Sequence, residues 1–242
     1  MHLISLRRRL LAEFLGTALL VTAVVGSGIM ASTLSPHDVG LQLLENSVAT
    51  AFALGALILT FGPVSGAHFN PVVSAADWFL GRRTRSGLSA TELAGYTVAQ
   101  VVGAIGGSVL ANLMFGLDAV TISHRQRSAG HLRLGEVVAT AGLLLLIFAL
   151  ARSGRAAAAP AAVGAYIGAA YWFTSSTSFA NPAVTVGRAF TDTFAGIAPA
   201  SVPGFVLAQA AGLLAGTGLL LALYPHVGSA ADDVVMAPEE IR

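Results

Sequence analysis

The sequence contains no cysteine and no lysine, and only 10% of its 242 residues are charged. The first absence excludes disulfides, thiolate metal sites and cysteine nucleophiles, and leaves the redox compartment unread. The second makes all 13 basic residues arginines, which with the alanine and glycine load points to a GC-rich bacterial genome. A net charge of +1 offers no field for nucleic acid. No Gly-x-Ser-x-Gly elbow, metal-binding histidine pair or paired catalytic aspartates are present, so the chain does not read as an enzyme and implies no cofactor. The acidic run around Asp232, Asp233, Glu239 and Glu240 reads as a solvated terminus. What remains is apolar: 55% of the residues, with a mean hydropathy of +0.76, far outside the range of soluble domains.

Nearly charge-free apolar stretches occur at about 9–32, 43–62, 91–116, 132–152, 158–175 and 201–224. Each is near the roughly 20 residues that a helix needs to cross a bilayer, so the sequence predicts an all-α protein with six spans and no separate soluble domain. The first stretch follows Arg7, Arg8 and Arg9 but is too long and lacks a cleavage site for a secretory signal, and is read as a retained helix. Arginines at 7, 8, 9, 82, 83, 85, 152 and 155 fall on one side of the six spans, against Arg125, Arg127 and Arg133 on the other. That bias puts both termini in the cytoplasm and the chain in the inner membrane. Two segments, about 63–81 and 176–191, are too short or irregular to span, and each holds an Asn-Pro pair. Backbone of this kind at membrane depth is tolerated where it packs in protein or lines an aqueous path, so both read as re-entrant half-helices beside a pore.

The halves carry matching landmarks. Ala12-Glu13-Phe14-Leu15-Gly16-Thr17 corresponds to Gly135-Glu136-Val137-Val138-Ala139-Thr140, Asn70-Pro71-Val72-Val73-Ser74 to Asn181-Pro182-Ala183-Val184-Thr185, and Ala99-Gln100 to Ala208-Gln209. Three spans per copy force the second copy to enter from the opposite face, so the chain reads as one domain made of an inverted repeat, about 9–116 and 132–224, with its site at the midplane. These motifs resemble the aquaporin, or major intrinsic protein, family over essentially the whole chain. Ser65-Gly66-Ala67-His68-Phe69-Asn70-Pro71-Val72 is similar to its first signature, with Val72 in place of the usual alanine, and Asn181-Pro182-Ala183 is its second, intact.

Asn is a strong helix N-cap and Pro suits the first turn, so each pair starts a short helix whose amide end points to the bilayer centre. Asn70 and Asn181 then offer donors to a passing oxygen, while the facing dipoles repel cations. The resemblance implies a carbonyl ladder from Gly66, Ala67 and His68 on one side and Ser178, Phe179 and Ala180 on the other. Glu13 and Glu136 are read as structural acids bracing the re-entrant loops rather than as a proton relay. His68 is read as a structural hydrogen-bonding group, and Gln100 and Gln209 as packing or bracing groups. Resemblance alone implies a homotetramer in the lipid bilayer, and Gly103, Gly106 and Gly107 would permit close helix packing.

The family usually places an arginine directly after the second tripeptide, and here that residue is Val184. Family spacing puts Thr50, Ala169 and Ser178 around the same constriction, leaving neither ring nor charge there. Glycerol-conducting members carry an aspartate after the arginine, where this chain has Thr185. The expectation is a passive, permissive pore for small neutral solutes and water. Polyols, urea and metalloid hydroxides such as arsenite are the preferred cargo, since the filter resembles the bacterial aquaglyceroporin branch associated with arsenic resistance. The competing expectations are a water-selective channel and an ion-coupled secondary transporter. Arg188, four residues after Val184, is expected either in the outer vestibule or as an end-of-helix charge facing solvent.

Overall fold

A computed structural model describes residues 4–82 and 86–224; Arg83, Arg85 and the acidic run around Asp232, Asp233, Glu239 and Glu240 lie outside the described residues. Helix starts follow the chemistry of the free amides. The Asp38 carboxylate accepts from the Leu41 amide at 2.9 Å and opens α2, and Ser89 with Glu92 forms a reciprocal capping box that opens α4. Asn70 and Asn181 cap α3 and α7, with Pro71 and Pro182 in the first turn as the sequence predicts. The helices among the described residues are α1 (Leu6–Leu34), α2 (Val39–Ser65), α3 (Pro71–Gly81), α4 (Ala90–Met114), α5 (Gly130–Arg152), α6 (Ala159–Phe173), α7 (Pro182–Gly187) and α8 (Val202–Leu223), with no strand. Six spans are long and apolar enough to cross a membrane: α1, α2, α4, α5, α6 taken with the 3-10 turn Ala156–Ala158 before it, and α8.

Glycine sets how closely these helices approach. A Cβ on Gly103 or Gly107 of α4 would lie 2.4 Å from the Phe14 carbonyl oxygen or 2.2 Å from that of Ala18 on α1. Gly212 and Gly216 of α8 stand in the same relation to α5, 2.8 Å from the carbonyl oxygens of Val137 and Ala141. Both four-residue glycine spacings therefore bring backbones into contact, as small-residue faces do in membranes where no hydrophobic force joins helices. Gly103 and Gly107 are thus committed within the chain, while Gly106 has nothing within 4 Å and stays open.

The first half-helix starts later than its sequence segment suggests. Residues 63–65 belong to α2, which continues through Pro63 and stops at Gly66, whose φ of 84° is the left-handed geometry of a helix C-cap. The second is shorter: α7 ends at Gly187 and tightens into a 3-10 turn, Arg188–Phe190. Between α4 and α5 the connection runs over the second re-entrant segment and is tied to it backbone to backbone. The amides of Thr121 and Ser123 donate to the carbonyls of Phe190 and Ala189, and the Ala198 amide donates to the Arg125 carbonyl at 2.7 Å.

Candidate functional site

The two re-entrant loops meet in the protein interior. The Asn70 Nδ2 donates to the Ala180 carbonyl at 2.8 Å, and the Asn181 Nδ2 donates to the Phe69 carbonyl at 2.7 Å. Each asparagine also accepts with Oδ1 from its own helix, Asn70 from the Val72 amide and Asn181 from the amides of Ala183 and Val184. An amide group has two N–H donors, so each Asn keeps one after the cross-link, and both residues line the cavity described below.

A buried carboxylate braces each loop. Glu13 accepts from the Ser65 hydroxyl, the amides of His68 and Phe69, and the Gln100 side chain, all within 3.0 Å. Glu136 accepts from the amides of Phe179 and Ala180 and from the Gln209 side chain, all within 2.9 Å. Gln100 and Gln209 also donate to the hydroxyls of Ser74 and Thr185, so the bracing is matched in both halves. The bonds hold the chain in a costly conformation: Ala67, Phe69, Ser178 and Ala180 all have φ between 47° and 50°. At roughly 1–2 kcal/mol each, such left-handed residues persist where their surroundings over-determine them. His68 donates to or accepts from Ser74 through Nδ1 at 3.0 Å and packs edge-on against Tyr96.

A narrow cavity runs past these loops, with about 70 Å³ open to the centre of a water molecule. That is room for more than one water molecule. The lining is aliphatic along α1, α2, α5 and α6, with Leu20, Val24, Leu54, Ile58, Ile147 and Val163 among its residues, and the polar groups come from the re-entrant segments together with Thr50 of α2 and Tyr171 of α6. Ala67, His68, Ser178 and Phe179 are in the wall, together with Thr50 and Val184. The Ser178 hydroxyl has no protein partner.

Several sequence expectations change here. Ala169 is exposed and outside the cavity wall; α6 presents Ile167 and Tyr171 instead. At about 100° per residue Ala169 lies some 200° from each, on the opposite face. The Tyr171 hydroxyl is 3.2 Å from that of Thr50, so an aromatic group does stand at this level. Gly66, the cap of α2, and Ala180, whose carbonyl holds Asn70, are not among the residues lining the cavity, and Ala67, His68, Ser178 and Phe179 are. Nor is charge missing. Arg188 is 3% exposed and lines the cavity, with its guanidinium carbon 3.5 Å from the Phe179 ring centroid and Nε donating to the Ala195 carbonyl. The solvent-facing alternative for Arg188 is thereby excluded. Sequence reasoning missed Tyr171; the signal available was its four-residue spacing from Ile167.

Comparison with known proteins follows the same lines. The family profile described as "Major intrinsic protein" matches residues 1–178. Aquaglyceroporin AqpS of Rhizobium meliloti is 50% identical over 216 residues, covering 89% of this chain and 90% of that protein. The glycerol uptake facilitator protein of Pseudomonas aeruginosa is 32% identical, covering 98% and 96% of the two chains. Among solved structures, the aquaglyceroporin from Plasmodium falciparum matches with a TM-score of 0.65 at 21% identity, covering 93% of this chain and all of that one, a likeness of fold.

Proposed function

Since the chain belongs to the major intrinsic protein family, a family of membrane channels, we propose that it passes small uncharged solutes larger than water, namely polyols, urea and metalloid hydroxides such as arsenite, together with water. The observation that carries this reading is the wall itself: aliphatic side chains from α1, α2, α5 and α6 beside the polar groups of the re-entrant loops, with Val184 where the family resemblance expects a guanidinium. Such a wall suits a compact polyhydroxyl solute. Its carbon or metalloid face slides on the aliphatic side chains while its hydroxyls exchange water for the free donors of Asn70 and Asn181 and the carbonyls of Ala67, His68, Ser178 and Phe179. Thr50, Tyr171, Ser178 and Val184 set the outer width. Similarity to proteins named aquaglyceroporin and glycerol uptake facilitator agrees with cargo beyond water.

On the same reading the chain is two inverted copies, about 9–116 and 132–224, with Asn70, Pro71 and Val72 facing Asn181, Pro182 and Ala183 as the paired start of the half-helices. The matched bonds of Glu13 and Glu136 support it. Assembly as a homotetramer in the inner membrane, termini cytoplasmic, follows from the family resemblance and from the arginine bias.

The test is stopped-flow light scattering on proteoliposomes given inward gradients of water, glycerol and arsenite. Entry of all three that scales with the gradient, without saturation or dependence on a proton gradient, is the expected result. Water movement alone would reduce the protein to a water channel, and saturable, proton-dependent uptake would make it a transporter.

A further inference from the structure

We infer that Arg188 supplies the cation barrier of this pore, one helical turn beyond the position of Val184, so that solute size and solute charge are screened at separate levels. The inference rests on the channel reading above. Residues 184 and 188 are four apart on one helix face, and both line the same cavity. The position of Arg188 is built rather than incidental. A Cβ on Gly187 would lie 2.6 Å from the Ala104 carbonyl oxygen, so the end of α7 abuts α4 directly, and the Ser108 hydroxyl donates to the Gly187 carbonyl at 2.8 Å. Beyond it, Asn112 donates to the Phe190 carbonyl and accepts from the Thr191 hydroxyl, and the Ile197 amide donates to the Arg188 carbonyl at 3.2 Å. Clamped on both sides, the 3-10 turn directs the arginine into the pore wall.

Its guanidinium then lies against the Phe179 face, with Nε on the Ala195 carbonyl and no carboxylate partner. The ion pairs among the described residues, Arg9–Glu92 and His124–Asp192, do not involve it. The carboxylate of Glu136 is occupied by loop amides and Gln209. A second guanidinium approaches the same ring: Arg127, from the connection between α4 and α5, lies 5.1 Å from the Phe179 centroid, and its Nε donates to the Gly196 carbonyl. Two positive groups around one buried ring, with Glu136 the one acid that acts on both, leave a net positive level of the pore that a cation cannot pass cheaply, because charge is poorly screened where water is scarce. A neutral solute meets only the unused donors of Arg188.

Proteoliposomes loaded with a pH-sensitive dye read proton entry, and the same vesicles read glycerol by light scattering. Arg188→Gln and Arg188→Met are compared with native protein and with Arg125→Gln, which removes a nearby arginine that stacks on Phe194 outside the cavity wall. Arg188→Met is included because a flexible apolar side chain fills the buried volume without an uncompensated charge. Removing the Arg188 charge is expected to raise proton entry on the order of tenfold or more, with glycerol entry retained, which also certifies a folded pore. Arg125→Gln should match native protein. Native-like ion entry in an Arg188 variant that still passes glycerol would overturn the inference, as would an equal rise in Arg125→Gln. Absence of glycerol entry in native protein would instead fail the channel reading.

Discussion

The two re-entrant segments are alike where they meet and unlike where they leave the centre. Asn70 and Asn181 exchange equivalent bonds, and Glu13 with Gln100 braces one loop much as Glu136 with Gln209 braces the other. Outward from there, α3 continues for 11 residues, whereas α7 stops after 6 and turns Arg188 into the pore. The matched part holds two short helices end to end at membrane depth, a requirement both halves share. The unmatched part lies away from that meeting point, and there the residues are free to differ between the halves.

Substitutions at paired positions show how far the two halves are equivalent. The largest effect is expected from Glu13→Ala and Glu136→Ala, each of which strands buried donors and releases left-handed backbone. A loss of roughly 3–5 kcal/mol should appear in either as a large drop in thermal stability in detergent, or as failure to give monodisperse protein. Tolerance of one but not the other would show that the braces are not equivalent. Next come Asn70→Asp and Asn181→Asp, each setting a carboxylate against a carbonyl it had been donating to. Thermal unfolding and stopped-flow entry should show matching losses, roughly 2–3 kcal/mol in stability and a strong fall in neutral flux. Gln100→Leu and Gln209→Leu should each cost about 1–2 kcal/mol by the same unfolding assay, as hydrogen bonds to a charged group do.

The smallest effect belongs to the unmatched outer segment. The Asp192 carboxylate accepts from the backbone amide and the ring of His124, and these bonds hold its pKa below the ordinary value. A depressed carboxylate contributes fully above its ordinary pKa and loses that contribution as pH falls through the folded value. At neutral pH, Asp192→Asn should therefore speed hydrogen exchange in the 121–125 stretch several-fold without changing exchange in α1 or α5. Faster exchange throughout would mean that this loop tie supports the whole fold.

Much of this arrangement was legible in the sequence because bilayer physics leaves few choices. Charge-free runs become spans, Asn-Pro becomes cap and first turn, and an acid within a span must find donors, as Glu13 and Glu136 do. What depended on counting across irregular backbone was lost. Ala169 was placed by spacing back from Asn181, but α6 ends at Phe173 and the following stretch to Ala180 is not helical, so rotational phase does not carry across it. The true inward face, Ile167 and Tyr171, follows from α6 alone. Arg188 was legible as a residue on the face of Val184, but its burial depends on the contact of Gly187 with α4, which pairs residues distant in the sequence. The glycines of α8 that match Gly103 and Gly107 do not stand out in the sequence, because small residues are abundant throughout the chain.

The central claim, that Val184 in place of a guanidinium keeps the outer constriction open to solutes larger than water, is tested most directly by Val184→Arg in stopped-flow vesicles. Glycerol and arsenite entry should fall at least tenfold while water entry is largely kept, since a bulky cation on the cavity face narrows the passage. Unchanged glycerol entry in a folded, water-conducting Val184→Arg protein would contradict it.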